Sequence, residues 1–143
     1  RAMRAADREE VEFVSFLQGL VATLGRPDPV PLVTFTGLSV LRLPVDRAVP
    51  TALIIEEFFV NALKHGRIPR ASLEIAVAIV ADAKEIRIDI ADNGQGRAPD
   101  FDLGGATGLG LEMAVGLAEQ IDGRIEIVPA REGAHFRLVL PQR

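Results

Sequence analysis

The chain is predicted to fold as an α+β protein, a two-layer α/β sandwich with one mixed, mainly antiparallel sheet covered on one face by helices. Three observations lead there. Short β-rich runs come in adjacent pairs, segments with apolar residues every three or four positions separate the pairs, and hydrophobic residues make up 48% with only 5% aromatics. The last feature calls for a core of Val, Ile, Leu and Ala rather than stacked rings. At 143 residues the chain suffices for one such core and falls short of two.

Taken in order, the first element is a helix over residues 6–24, where Phe13, Phe16, Leu17, Leu20, Val21 and Leu24 form one apolar stripe. Gly25 ends it. Prolines 27, 29 and 31 make residues 26–31 a stiff connector, so the chain divides into a leading helix and linker at 1–29 and a main domain at 30–143. Residues 33–36 and 38–43 read as two short strands around Gly37, the second stopped by Pro44. A helix follows over 50–65, with Leu53, Ile54, Phe58, Ala62 and Leu63 on its apolar face and Gly66 as its stop.

Residues 71–81 and 85–91 are β-rich runs joined by Asp82-Ala83-Lys84, which predicts an antiparallel hairpin. The glycine-rich stretch 93–107 has no period and reads as a loop. Residues 108–121 return to helical spacing, and 125–128 and 136–140 are closing strands around a Glu132-Gly133 turn.

Charge and composition narrow the function. A formal net charge of -4 supplies no basic excess for a nucleic-acid backbone. Absence of cysteine removes disulfides, thiolate metal sites and a cysteine nucleophile together. The longest apolar run, residues 75–81, is far short of the ~20 residues a spanning helix needs. No secretory signal pattern opens the chain. The expectation is a cytoplasmic domain without membrane contact of its own, whose parent protein could be membrane-anchored.

Three segments carry the chemistry. Asp92-Asn93-Gly94-Gln95-Gly96 directly follows the run 85–91 and sets a carboxylate at a strand end, beside glycines that permit close backbone approach to a ligand. Alone it is also ordinary turn chemistry. On the helix over 50–65, Glu57 and Asn61 stand four apart, with Lys64 and His65 after them, so one helix side carries an acid, an amide and a cation. Asn61 can give a neutral oxygen to Mg²⁺ and Lys64 can meet phosphates as a point charge, although a solvated face with Glu-Lys pairing has the same composition. Finally, Gly104-Gly105-Ala106-Thr107-Gly108-Leu109-Gly110-Leu111 runs a glycine-rich loop into a helix start, whose free amides and positive dipole end suit phosphate or simply a hinge.

In order and spacing these segments resemble the nucleotide motifs of the GHKL ATPase superfamily, which includes DNA gyrase and the ATP-binding domains of histidine kinases. The asparagine box matches Glu57-Phe58-Phe59-Val60-Asn61-Ala62-Leu63-Lys64-His65, and the two glycine boxes match Asp92 to Gly96 and Gly108-Leu109-Gly110-Leu111. Within the superfamily, Glu-(three residues)-Asn-Ala-Leu-Lys-His and the ending Gly133-Ala134-His135-Phe136-Arg137-Leu138-Val139-Leu140-Pro141 resemble the HWE/HisKA_2 group of bacterial sensor histidine kinases.

The resemblance implies a Bergerat fold that binds ATP with Mg²⁺ and passes the γ-phosphate to a histidine of a dimerisation and phosphoacceptor domain, in cis or in trans, with a response regulator downstream. Asp92 would accept from the adenine amino group, and Gly94 and Gly96 would let the base approach. Asn61 would bind the metal, and Lys64 with the stretch Thr107-Gly108-Leu109-Gly110 would hold phosphates. Glu57 would either activate water or complete the metal shell, and His65 would cap or line the nucleotide site.

Two departures stand out. Members of the family often carry Thr after the last glycine where this chain has Ala134, which removes a hydroxyl from the adenine side. Neither His65 nor His135 fits the phosphoacceptor, and His135 is expected to point outward from the last strand. The leading helix is either the remnant of a connection to the dimerisation helices or a packed amphipathic helix. The same motifs occur in anti-sigma-factor serine kinases, and a degenerate domain of this fold could serve histidine phosphotransfer proteins as a non-catalytic docking module.

Overall fold

A computed structural model of the chain describes residues 9–24, 31–65, 73–94 and 109–142. Its elements are β1 (Glu10–Glu12), α1 (Phe13–Leu24), β2 (Leu32–Gly37), β3 (Arg42–Pro44), α2 (Val45–His65), β4 (Glu74–Ala81), β5 (Glu85–Asp92), α3 (Leu109–Gln120), β6 (Arg124–Ile127) and β7 (His135–Pro141). Five strands form one mixed sheet in the order β2-β4-β5-β7-β6, and β1 pairs with β3 in a separate ribbon. Only β2 and β4 run parallel; the other three pairings of the large sheet are antiparallel. The α+β class and the β4-β5 hairpin are as predicted.

The hairpin forms because alternation on both strands selects one register. Val77 faces Ile90 and Ile79 faces Ile88 across the pair, and Ile90 and Ile88 in turn face Phe136 and Leu138 of β7. All six are buried, so a one-residue slip would turn this whole face to water. At the turn, the Asp82 carboxylate accepts from the amides of Lys84 and Glu85 at 2.8 and 2.9 Å, the local chemistry that makes Asp a turn residue. Above this face, Ile54, Ile55, Phe58 and Ala62 of α2 and Leu111, Ala114 and Ala118 of α3 complete one core, which is mainly aliphatic but, contrary to the expectation from composition, holds one ring stack, Phe58 on Phe136.

The N-terminal region departs from the sequence expectation. The helix begins at Phe13, because Glu10–Glu12 pairs antiparallel with Arg42–Pro44; residues 6–8 of the predicted helix lie outside the described residues. Glu12 then caps α1. Its Oε1 accepts from the Ser15 hydroxyl and amide at 2.7 and 3.0 Å, and its Oε2 accepts from the amides of Val14 and Leu41 at 3.1 and 2.9 Å. One carboxylate thus satisfies open amides of the first turn and fastens the helix to the chain before β3. Phe13 and Leu17 of α1 are fully buried in the same core as α2 and α3.

Residues 38–43 do not form the continuous strand predicted there. Gly37 takes a φ of +90°, where a side chain would collide with the Ile79 carbonyl, and the chain leaves the large sheet there. Only Arg42–Pro44 is extended, in the ribbon with β1. The central helix also starts five residues earlier than predicted, at Val45, with Pro50 inside it. A proline in the second turn omits one backbone bond, and the helix continues through the buried Thr51, whose hydroxyl donates to the Arg47 carbonyl at 2.7 Å. Most of the predicted connector at 26–31 and glycine-rich loop at 93–107 lies outside the described residues.

Glu12 gives a stability prediction with a defined sign. The Ser15 hydroxyl is the largest influence; together with the amides of Leu41, Ser15 and Val14 it outweighs burial and lowers the Glu12 carboxyl from 4.5 to about 2. A folded-state value below the unfolded one means that this contribution is complete above pH 4.5 and fades as pH falls towards 2. Solvent screening keeps it near the ordinary cap range. Glu12→Gln should therefore cost about 1 kcal/mol at neutral pH and progressively less below pH ~4.5, measured by urea unfolding at several pH values. A penalty that stayed constant down to pH ~2 would remove the carboxylate cap from this account.

Candidate functional site

Strand β5 carries Asp92 to the end of the sheet, opposite Ile75 of β4. Its backbone amide donates to the Ala134 carbonyl at 2.9 Å. Its side-chain Oδ1 accepts from the Gly94 amide at 2.9 Å and, more loosely, from the Ala134 amide at 3.3 Å. Two backbone donors from different parts of the chain therefore orient one carboxylate. Gly133 makes this possible. It has a φ of +67°, and a Cβ there would lie 2.6 Å from both the carbonyl carbon and Oδ1 of Asp92. The turn before β7 can press against Asp92 only with glycine at 133.

Asn93 continues the strand pairing. Its amide donates to the Glu74 carbonyl at 3.2 Å and its Oδ1 accepts from the Glu74 amide at 2.7 Å. Gly94, the last described residue of this segment, is buried. Ala134, which removes the hydroxyl expected from the family pattern, holds Asp92 through its backbone instead.

Helix α2 places Glu57 and Asn61 one turn apart, both half-buried, on the helix that packs against α3. The Glu57 carboxylate reaches the first turn of α3. A Cβ built on Gly110 would stand 2.6 Å from its Cδ and 2.7 Å from Oε2. An acid of the asparagine box and a glycine of the second glycine box thus meet directly. Lys64 and His65 close α2, but their side chains, the side chain of Leu109, and Gly96, Thr107 and Gly108 lie outside the described residues.

His135 belongs to a different surface. It alternates with buried Phe136 and so faces away from the core, as expected, where its Nε2 lies 2.7 Å from Asp89 Oδ2. Arg137 grips the same carboxylate, with Nε 3.0 Å from Oδ1 and Nη2 3.0 Å from Oδ2. Burial alone would raise the Asp89 carboxyl, but the hydrogen bonds from Arg137 and His135 outweigh it and lower it below the usual range. Asp89 in turn raises the Arg137 guanidinium. This cross-strand pair follows the β5-β7 register, in which Asp89 sits opposite Arg137.

Gly133 and Ala134 back the Asp92 carboxylate, a part that residue type and spacing do not single out. Their signal was the glycine of the predicted turn before the last strand, but its contact with residue 92 is set by strand order. Among the described residues no group of three or more acidic or histidine side chains forms a metal cage. The donor set is an oriented acid at a strand end, an amide side chain and a glycine at a helix start. These suit a nucleotide phosphate-metal complex, in which the metal takes most of its ligands from phosphate and water. Among the described residues no helix is long and apolar enough to cross a membrane.

Residues 47–143 match the family model described as histidine kinase-, DNA gyrase B- and HSP90-like ATPase. No curated protein matches the chain. Among solved structures, the histidine kinase domain of a blue-light activated histidine kinase from Erythrobacter litoralis aligns with a TM-score of 0.81 and 21% identity, covering 99% of this chain and 65% of that one. The ATP-binding domain of PrrB from Mycobacterium tuberculosis aligns at 0.75 and 21% identity, covering 96% of this chain and 98% of that domain. The mycobacterial sensor histidine kinase MprB aligns at 0.74 and 18% identity, covering 94% and 99%. These likenesses establish a shared fold, and the chain spans 65% of the first of these structures.

Proposed function

Because the chain belongs to the family of histidine kinase-, DNA gyrase B- and HSP90-like ATPases, we propose that it is the catalytic, ATP-binding domain of a two-component sensor histidine kinase. The observation that carries this reading is Asp92, fixed at a strand end by the amides of Gly94 and Ala134. A carboxylate oriented in that way can accept a hydrogen bond from the adenine amino group, and Gly94 and Gly96 are assigned to the base by their place in the motif. Asn61 supplies a neutral oxygen to Mg²⁺. By motif position, Lys64, Thr107, Gly108, Leu109 and Gly110 are assigned to the phosphates and His65 to the border of the nucleotide.

Bound Mg-ATP supplies the phosphoryl group; the protein contributes positioning and charge neutralisation. The γ-phosphorus separates from the bridging oxygen of ADP and bonds to a ring nitrogen of a histidine other than the two in these 143 residues. That acceptor belongs to a dimerisation domain in cis or in trans, and a response regulator takes the phosphate from it. His135 is engaged with Asp89 on the far side of β7, which fits an acceptor located elsewhere. The domain acts in the cytoplasm.

The test is a calorimetric titration of the chain with ATP and ADP, with and without Mg²⁺. Nucleotide binding with little turnover is expected, and absence of binding to either nucleotide overturns the assignment. Asn61→Ala should abolish the Mg²⁺ dependence of ATP binding and leave adenosine affinity within about twofold. Retention of the full Mg²⁺ effect in that variant would remove Asn61 from the metal site.

A further inference from the structure

Gly110 is one of two described glycines in α3, and the two differ in their surroundings. A Cβ on Gly116 meets nothing within 4 Å, whereas one on Gly110 runs into the Glu57 carboxylate, at 2.6 Å from Cδ and 2.7 Å from Oε2. Backbone conformation does not call for glycine at 110, since the positive-φ glycines among the described residues are Gly37 and Gly133. Glycine costs a helix interior stability relative to alanine. What it provides at 110 is space, and Glu57 fills that space.

We infer that Gly110 is a positioning residue for Glu57: the missing side chain lets the carboxylate dock on the first turn of α3 and fixes where the acid of the asparagine box points. The inference rests on the nucleotide-binding reading for its functional consequence, but the contact itself does not depend on it. A methyl group at 110 would not break α3, because the Glu57 side chain is long enough to swing aside. It would move the charge. Glu57 lies one turn before Asn61, so displacing its carboxylate changes the field and the water structure at the proposed metal position.

The experiment is a set of variants of the chain: Gly110→Ala, Glu57→Ala, their combination, Gly110→Ala with Glu57→Asp, and Gly116→Ala as a control. Thermal unfolding without nucleotide or metal reads the contact. Gly116→Ala, and Gly110→Ala in the Glu57→Ala background, should each raise Tm by about 2–4 °C, the ordinary gain for glycine to alanine in a helix. In the parent, Gly110→Ala should give no rise. Equal Tm shifts in both backgrounds overturn the inference, as does a combined variant that fails to fold while Glu57→Ala folds.

The second readout is the Mg²⁺ concentration that half-saturates ATP binding. It should rise about tenfold in Gly110→Ala, or 1.4 kcal/mol, and return most of the way with Glu57→Asp, whose shorter side chain withdraws the carboxylate from the new methyl. Lack of rescue by Glu57→Asp overturns the positioning role. A parent that binds no ATP refutes the nucleotide reading instead, while the Tm comparison still decides the Gly110 contact.

Discussion

Replacing Phe58 with alanine is expected to destabilise the protein by about 3–5 kcal/mol, the usual range for removing a buried aromatic side chain. Phe58 is 1% exposed. Its ring stacks on Phe136 with centroids 4.7 Å apart and planes 4° from parallel, joining α2 to β7. The void should stay largely unfilled, because a close-packed interior relaxes only partly around a removed side chain. A typical domain has about 5–15 kcal/mol of stability in all, so the variant should unfold at much lower urea.

Phe58→Leu keeps most of the volume and should recover more than half of the loss. A loss below about 1 kcal/mol in Phe58→Ala, read from urea unfolding, would show that the stack contributes little to the fold. Function should follow stability in this case. Phe58 adjoins Glu57 in α2, and Phe136 lies two residues after Ala134, which holds Asp92. The stack therefore ties the helix that carries Glu57 to the strand that follows Ala134, and its loss should loosen nucleotide binding even where the variant remains folded.

Much of this arrangement was legible in the chain because its cause is periodic. Alternation in residues 75–79 and 86–90 defines one apolar face per strand, and the Asp82 turn chemistry closes the hairpin. Elements set by contacts distant in sequence were not legible. Glu12 is an uncommon cap residue, and one of its four hydrogen bonds comes from the Leu41 amide, 29 positions away. Pro50 reads locally as a helix start, yet α2 begins at Val45, where the amide donates to the Glu9 carbonyl at 3.2 Å. The parallel β2-β4 pairing also has no local signature; it follows from the sheet edge that β4 leaves available.

The candidate site divides in the same way. Asp92, Gly94, Asn61 and Glu57 could be selected from residue type and spacing. The support behind Asp92 could not, because the turn at Gly133 is brought to it by the β5-β7 pairing, in which Ala91 lies opposite His135. The same holds for Glu57 and Gly110, which meet only when α2 and α3 pack.

Asp92→Asn is the second variant with a large expected effect, and the structure makes it nearly isosteric. The Asn Oδ1 can still accept from the amides of Gly94 and Ala134, which bond to Asp92 Oδ1 in the parent. Local structure should therefore survive, with little change in Tm. With Oδ1 kept in place, the second carboxylate oxygen becomes an amide nitrogen, a donor where the proposed adenine contact needs an acceptor. A hydrogen bond to a charged group is worth roughly 1.5–3 kcal/mol, so ATP affinity should fall about 10- to 150-fold. Adenosine should lose affinity by a similar factor, because the lost contact is to the base and not to the phosphates. Calorimetry that returned unchanged ATP affinity in a folded Asp92→Asn would refute the adenine contact. A loss confined to the triphosphate would move Asp92 from base recognition to the phosphate end of the pocket.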